Sequence, residues 1–174
     1  LHDMLRGLVP AERIHLSHRC TAIDQDDAGA TVHFENGRSV AADLVVGADG
    51  IHSGLRGHFF AAATPAYTAN MCSRATVPLA PPDVDLVLPA SSMWFGPKGH
   101  VVTYYVRGGR AVNIVAVHET EQWEAESWTT PSTTAELCAT YADWHPRLRK
   151  LLARTGDVFK WGLFDRDPMT SWTV

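Results

Sequence analysis

The sequence predicts a mixed α/β fold, and three observations support that class. Short alternating segments with turn signals fill residues 20–40, and an apolar run ends in a Gly- and Asp-rich bend at residues 44–50. Longer β-prone runs then dominate residues 68–118. The expected architecture is a small β-meander, a strand–turn–helix unit and a larger antiparallel sheet accompanied by helices.

The two ends of the chain both suggest interrupted elements. Apolar residues recur at helical spacing from Leu1 to Leu8, without a capping residue before them. The closing residues 172–174 resemble the beginning of a strand. We therefore expect the sequence to be the central portion of a longer protein.

The first part of the chain predicts a meander that leads into a buried strand. Three short segments alternate between polar and apolar residues: Arg13–Ser17, Cys20–Asp24 and Ala30–Phe34. Turn signals at Asp26–Gly29 and Asn36–Gly37 separate strands of the meander, which is expected over Cys20–Val40. The fully apolar run Leu44–Val46 predicts the buried strand.

The second part predicts an antiparallel sheet followed by two helices and a last strand. The strand candidates are Thr68–Val77, Met93–Gly96, His100–Arg107 and Ala111–His118. A tight hairpin at Arg107–Arg110 joins the last two. One helix is expected over Thr134–Trp144, a second around Leu148–Leu152 ending at Gly156, and a final strand over Val158–Phe164.

The segment between these parts carries the most specific motif. Asp43–Gly50 combines the apolar run with an Asp-Gly bend, and Ser53 then supplies a helix cap ahead of Leu55 and Arg56. Such a bend places backbone N–H groups and the positive end of a helix dipole beside a crevice, which suits a phosphate or polyol ligand.

This motif resembles the Asp-Gly motif of single-component FAD-dependent aromatic hydroxylases of the p-hydroxybenzoate hydroxylase type. That family includes the salicylate, 3-hydroxybenzoate and 6-hydroxynicotinate hydroxylases. Further segments are similar to its substrate region and to the stretch before its second flavin motif: Trp94–Pro97, His100, Tyr104–Gly109, Ala139–Pro146 and Leu163–Pro168. The resemblance covers nearly all 174 residues.

The resemblance implies an organisation into parts. Residues 1–64 would belong to an FAD/NAD(P)-binding, Rossmann-like domain with its β-meander. Residues 65–166 would form an antiparallel-sheet substrate domain, and residues 167–174 would return towards the first domain. The family's Gly-x-Gly-x-x-Gly loop and Gly-Asp motif are absent from these residues, so this stretch alone is expected to be inactive and not to bind FAD tightly.

The implied reaction is hydroxylation of a small aromatic acid with O₂, using FAD and NADH or NADPH through a C4a-hydroperoxyflavin. A hydroxybenzoate, a salicylate or a hydroxypyridine carboxylate is the expected substrate in an aromatic catabolic route. Two alternatives stay open: an FAD monooxygenase of a larger polycyclic substrate, and a non-catalytic, flavin-less binding domain of the same fold.

The resemblance also implies roles for individual residues. The family's motif assigns four positions to cofactor binding: Asp49, Gly50, Ser53 and Arg56. For Arg56, a surface ion pair is an equally supported interpretation.

The substrate region supplies three further candidates. His100 is expected to act on the substrate hydroxyl, because imidazole exchanges protons near neutral pH. Tyr104 lies on the same strand face and Arg74 could hold a substrate carboxylate in a bidentate pair. Purely structural roles remain the alternative for all three, and Ser73 stands where the family often has an aromatic residue.

Composition excludes several other classes. The net charge of −4 without a Lys/Arg cluster argues against a nucleic-acid partner. No apolar run approaches the ~20 residues of a membrane helix. The three scattered cysteines indicate free thiols in a cytoplasmic protein. No spacing typical of metal ligands is present. If the protein forms an oligomer, a homodimer is expected.

Overall fold

The computed structural model describes residues 2–60, 64–79, 91–121 and 130–174. The chain divides into two compact units, which are described separately. The first unit comprises Leu1–Thr64 with Asp167–Val174, and the second unit comprises Pro65–Arg166.

The first unit contains a three-stranded antiparallel sheet. Its elements are α1 (His2–Arg6), a 3-10 turn (Ala11–Arg13), β1 (Cys20–Asp26), β2 (Gly29–Phe34), β3 (Ser39–Ala42) and α2 (Gly54–Phe59). The strands lie in the order β1-β2-β3, so the predicted meander is confirmed. At the predicted Asn36–Gly37 turn, Gly37 donates its N–H to the Phe34 carbonyl at 2.9 Å and adopts φ +80°, which favours glycine.

Two predicted strands of this unit are wrong. Leu44–Val46 forms no strand, and Leu44 and Val46 are 79% and 78% exposed. Backbone N–H and C=O groups of a strand need a neighbouring strand as partner, and none of the described strands lies beside this run. Arg13–Ser17 starts in the 3-10 turn, and Ser17 has φ +58°, which interrupts an extended conformation.

The second unit contains a six-stranded antiparallel sheet. Its elements are β4 (Ala66–Pro78), β5 (Ser91–Gly96), β6 (Gly99–Val106), β7 (Ala111–Glu119), β8 (Thr130–Ser132), α3 (Thr134–Thr140), α4 (Pro146–Leu152) and β9 (Val158–Asp165). The strand order is β5-β6-β7-β4-β9-β8. The mixed α/β class and the predicted strands of this part are confirmed, whereas β8 was not predicted and both helices end earlier than expected.

The two faces of this sheet have different environments. Directly opposite residues of antiparallel strands share a face, so the strand register shows on which face of the sheet each residue lies. On one face, α3 and α4 pack against the strands to form the core, whose fully buried members include Val77, Val101, Ile114, Leu148, Leu151 and Leu152. We call the other side, which faces away from these helices, the open face.

His118 lies at the end of β7 and is predicted to make the stability of the second unit depend on pH. Its half-buried ring packs edge-on against Tyr141 with a centroid separation of 6.0 Å. Burial, and secondarily the positive charge of Lys160, lower the pKa of His118 below 6.5. The unfolded chain therefore binds a proton more readily, so this contribution to stability is complete above pH 6.5 and is lost as the pH falls towards the folded-state pKa.

We expect the second unit to become less stable as the pH falls below about 6.5 towards the lowered pKa of His118, and His118→Gln to flatten that slope. Urea unfolding at several pH values measures it. Glu136, whose pKa is lowered by hydrogen bonds from Ser132 and Lys160, titrates below its ordinary value of 4.5 and so leaves this window unaffected. Identical slopes for the wild type and His118→Gln would contradict the assignment.

Candidate functional site

The Asp49–Gly50 bend joins the meander to α2 in the first unit. Gly50 has φ +81°, a left-handed conformation that side chains other than glycine adopt at a cost. Its carbonyl accepts the Ser53 N–H at 3.1 Å, which closes the bend immediately before the helix. The local sequence thus fixes where the Asp49 carboxylate and the first turn of α2 lie.

Ser53 caps α2 as predicted. Its Oγ accepts the backbone N–H of Arg56 at 2.9 Å, while Asp49 Oδ2 accepts the Leu55 N–H at 3.4 Å. A hydrogen bond from the Ser53 hydroxyl is the main cause that lowers the pKa of Asp49, and the Leu55 N–H adds to it against a partial desolvation. Asp49 is therefore an ionised hydrogen-bond acceptor at neutral pH.

Arg56 extends from α2 to the segment that returns to this unit. Its Nη2 donates to the backbone carbonyl of Asp167 at 3.4 Å. Its Nε is buried, and the described part of the chain provides no hydrogen-bond partner for it. A buried N–H donor without an acceptor is costly, so this position is suited to an acceptor supplied by a ligand.

These residues line one cleft of about 580 Å³. Its walls include Asp49, Gly50, Ser53 and Arg56, together with apolar side chains such as Trp172. A carboxylate that accepts hydroxyl hydrogens and a guanidinium N–H that lacks an acceptor are chemically suited to a ligand carrying both hydroxyl and phosphate groups. The cleft could hold part of a nucleotide cofactor.

The cap makes a direct prediction. Ser53→Ala removes the acceptor of the Arg56 N–H and is expected to destabilise the first unit by about 1 kcal/mol. It also removes a hydrogen bond to Asp49, so the pKa of that carboxyl should rise towards its ordinary value. Urea unfolding and an NMR titration of Asp49 measure the two effects.

Ser53→Thr is the matched control, because threonine retains a hydroxyl that can cap the helix. Equal stability and equal Asp49 titration in the alanine and threonine variants would show that the cap contributes nothing.

In the second unit, the three predicted substrate residues share the open face. His100 and Tyr104 lie on β6, and Arg74 lies on β4. The register pairs His100 with Val117, Tyr104 with Asn113, and Arg74 with Val115 on the intervening strand β7. Since opposite residues share a face, all three candidates lie on the side away from α3 and α4.

Apolar side chains occupy the area between these three residues. Val102 and Val115 are cross-strand partners, and Val115 is also opposite Arg74. Strand spacing and rise put the Cα atoms of His100 and Tyr104 each roughly 12 Å from that of Arg74. The open face therefore presents an apolar floor edged by an imidazole, a phenol and a guanidinium, an arrangement that suits a flat aromatic acid.

The structure also places Asn113 on the open face, a residue that the sequence alone did not single out. Asn113 is only 2% exposed, and its Oδ1 accepts the Arg74 Nε–H at 3.1 Å. The one available signal was an amide inside the otherwise apolar run Ala111–Val117, which alone does not identify a partner.

The residues that the structure describes form no metal centre. No group of three or more His, Cys, Asp or Glu side chains is positioned to hold an ion in these ranges. His33 is instead hydrogen-bonded to Asp24 and Ser39, each at 2.8 Å. The helices of the described ranges are all too short or too polar to cross a membrane.

Comparison with known proteins identifies a matching family and several relatives of this chain. The family described as "Flavin containing amine oxidoreductase" matches residues 1–49. The chain is 34% identical to 6-hydroxynicotinate 3-monooxygenase of Bordetella bronchiseptica over 99% of its own length and 45% of that protein. It is also 34% identical to 3-amino-4-hydroxybenzoate 2-monooxygenase of Streptomyces platensis, over 100% of the chain and 44% of that protein.

A solved structure described as "Salicylate hydroxylase substrate complex" superposes with a TM-score of 0.83, at 26% identity, over 99% of this chain and 46% of that one. The chain is thus similar throughout its length to FAD-dependent aromatic hydroxylases, and the predicted resemblance is confirmed. It spans less than half the length of these relatives. Among them are monooxygenases named for a hydroxynicotinate and for an aminohydroxybenzoate.

Proposed function

We propose that this chain is part of a monooxygenase that uses FAD and NADH or NADPH to hydroxylate a small aromatic acid. A hydroxybenzoate, a salicylate or a hydroxypyridine carboxylate is the substrate class. The observation that carries the proposal is the open face, where Arg74, His100 and Tyr104 surround an apolar floor. Similarity to aromatic monooxygenases over the whole chain supports it.

The three predicted substrate residues on the open face each have a role in this proposal. Arg74 binds the substrate carboxylate, because a guanidinium pairs with a carboxylate through two parallel hydrogen bonds. His100 accepts the proton of the ring hydroxyl, which makes the ring more electron-rich. Tyr104 lines the same site and hydrogen-bonds to a ring substituent. The second unit is accordingly the substrate domain.

The first unit contributes to FAD binding in this proposal. The ionised Asp49 carboxylate and the unpartnered Arg56 Nε–H fit the hydroxyl and phosphate groups of FAD, and Gly50 and Ser53 hold both in place. When bound, FAD would pass two electrons from NADH or NADPH to O₂, which would supply the oxygen atom for the ring. Residues 1–64 and 167–174 would then form part of the cofactor domain of a cytoplasmic enzyme.

The proposal is tested on the full-length protein encoded by the gene. We expect visible absorbance near ~450 nm from bound flavin, and bleaching by NADH or NADPH that accelerates when a hydroxybenzoate or hydroxynicotinate is added. A full-length protein that takes up no flavin would overturn the proposal and favour the binding-domain alternative. If only polycyclic aromatic compounds accelerated the bleaching of the flavin, the protein would instead be a monooxygenase of a larger substrate.

A further inference from the structure

Asn113 occupies a central position on the open face. It lies on β7, with Tyr104 directly opposite on β6 and Thr76 directly opposite on β4. Arg74 is two residues from Thr76 along β4, on the same face. Asn113 therefore sits between two residues already placed in the proposed substrate site, one on each neighbouring strand.

The orientation of its amide follows from Arg74. A guanidinium has only donors, so the Asn113 oxygen, not its NH₂ group, must face Arg74 Nε, at the observed 3.1 Å. This hydrogen bond restricts the guanidinium and leaves its terminal nitrogens for a bidentate partner. The Asn113 Nδ2 group is therefore not bonded to Arg74 and is left to donate to a different acceptor.

That Nδ2 group has no hydrogen-bond partner within the described ranges, although only 2% of Asn113 is exposed. The other open-face residues of β7 are Ala111, Val115 and Val117, all apolar. Packing alone would be served better by another aliphatic residue, because a buried donor without an acceptor destabilises the fold. The unmet donor indicates that an acceptor arrives with a ligand.

We propose that Asn113 is a substrate-positioning residue that holds the Arg74 guanidinium through Oδ1 and donates from Nδ2 to an oxygen of the substrate carboxylate. This inference rests on the proposed function, since it deepens the substrate specificity of the same face. The substrate carboxylate then accepts hydrogen bonds from three nitrogen atoms: the two terminal nitrogens of Arg74 and Nδ2 of Asn113.

The test measures ligand affinity in the full-length protein by calorimetry. The carboxylated probe is whichever of 3-hydroxybenzoate, salicylate and 6-hydroxynicotinate binds the wild type most tightly, and its partner is the same ring without the carboxylate. Asn113→Leu, which has the same branching and the same number of side-chain heavy atoms, should weaken binding of the carboxylated probe by about 10- to 100-fold, the size expected for losing hydrogen bonds to a charged group. Affinity for the ring without the carboxylate should not change.

Two further variants separate the contributions. Asn113→Asp keeps an oxygen for Arg74 but has no donor, so it should bind the carboxylated probe no better than Asn113→Leu. Thr103→Val is the control, because Thr103 is a fully buried polar residue of β6 on the helix-covered face, and it should bind both ligands as the wild type does. Thermal unfolding verifies that each variant is folded.

The outcomes are distinguishable. Wild-type affinity in Asn113→Leu, or equal weakening of both ligands, would overturn the positioning role while leaving the proposed function intact. Wild-type affinity in Asn113→Asp would overturn the donor role of Nδ2. A wild type that binds flavin but no aromatic acid would remove the proposed function, and the inference with it.

Discussion

His100→Gln is expected to lower kcat for aromatic hydroxylation by about 10²- to 10⁴-fold in the full-length protein, the range for losing a general base. His100 lies half-buried on β6 between Phe95 and Val117, on the open face. Glutamine keeps a polar side chain of similar size but cannot take the proton of the ring hydroxyl. Product formed per NAD(P)H consumed should therefore fall, while consumption of the nucleotide continues.

The pH dependence distinguishes loss of a base from a change of shape. In His100→Gln, the rate should rise with pH, because more substrate hydroxyl is already deprotonated in solution. His118→Gln is the matched control, since His118 lies on the adjacent strand but on the helix-covered face. Undiminished product yield in His100→Gln, at pH values around neutrality, would assign His100 a structural role.

Leu151→Ala is expected to destabilise the second unit by about 2–5 kcal/mol. Leu151 is 0% exposed and packs in the core between α4 and the sheet. Removing its branched end leaves a cavity beneath the open face, so the unfolding free energy falls by the transfer term and the cavity term together. Urea unfolding followed by tryptophan fluorescence measures the loss.

Lys150→Ala is the companion variant. Lys150 is exposed on the same helix, and its substitution should change the unfolding free energy by no more than about 0.5 kcal/mol. A similar small value for Leu151→Ala would mean that α4 does not anchor the sheet.

Features encoded by neighbouring residues could be predicted from the sequence. The Asn36–Gly37 turn, the Ser53 cap and the strands β1 and β2 are indicated by residues close together in the chain, and each is present. The Arg107–Arg110 hairpin is another example, with positive φ at Gly108 and Gly109. Local chemistry was sufficient for these elements.

Features that depend on distant partners could not be predicted. The run Leu44–Val46 has strand composition, yet a strand exists only where another strand lies beside it. β8 has three residues, too few to show a period, and is defined by its pairing with β9. Asn113 became informative only because the fold places it against Arg74, 39 residues earlier in the chain.

In the proposed function, the open face binds an aromatic acid for insertion of one oxygen atom from O₂. The most direct measurement is mass spectrometry of the product after the full-length protein has reacted with NAD(P)H, heavy-isotope O₂ and a hydroxybenzoate or hydroxynicotinate. We expect a ring-hydroxylated acid carrying one heavy oxygen atom, formed by the wild type and greatly reduced in His100→Gln. A product without the heavy isotope, or equal product from both proteins, would contradict it.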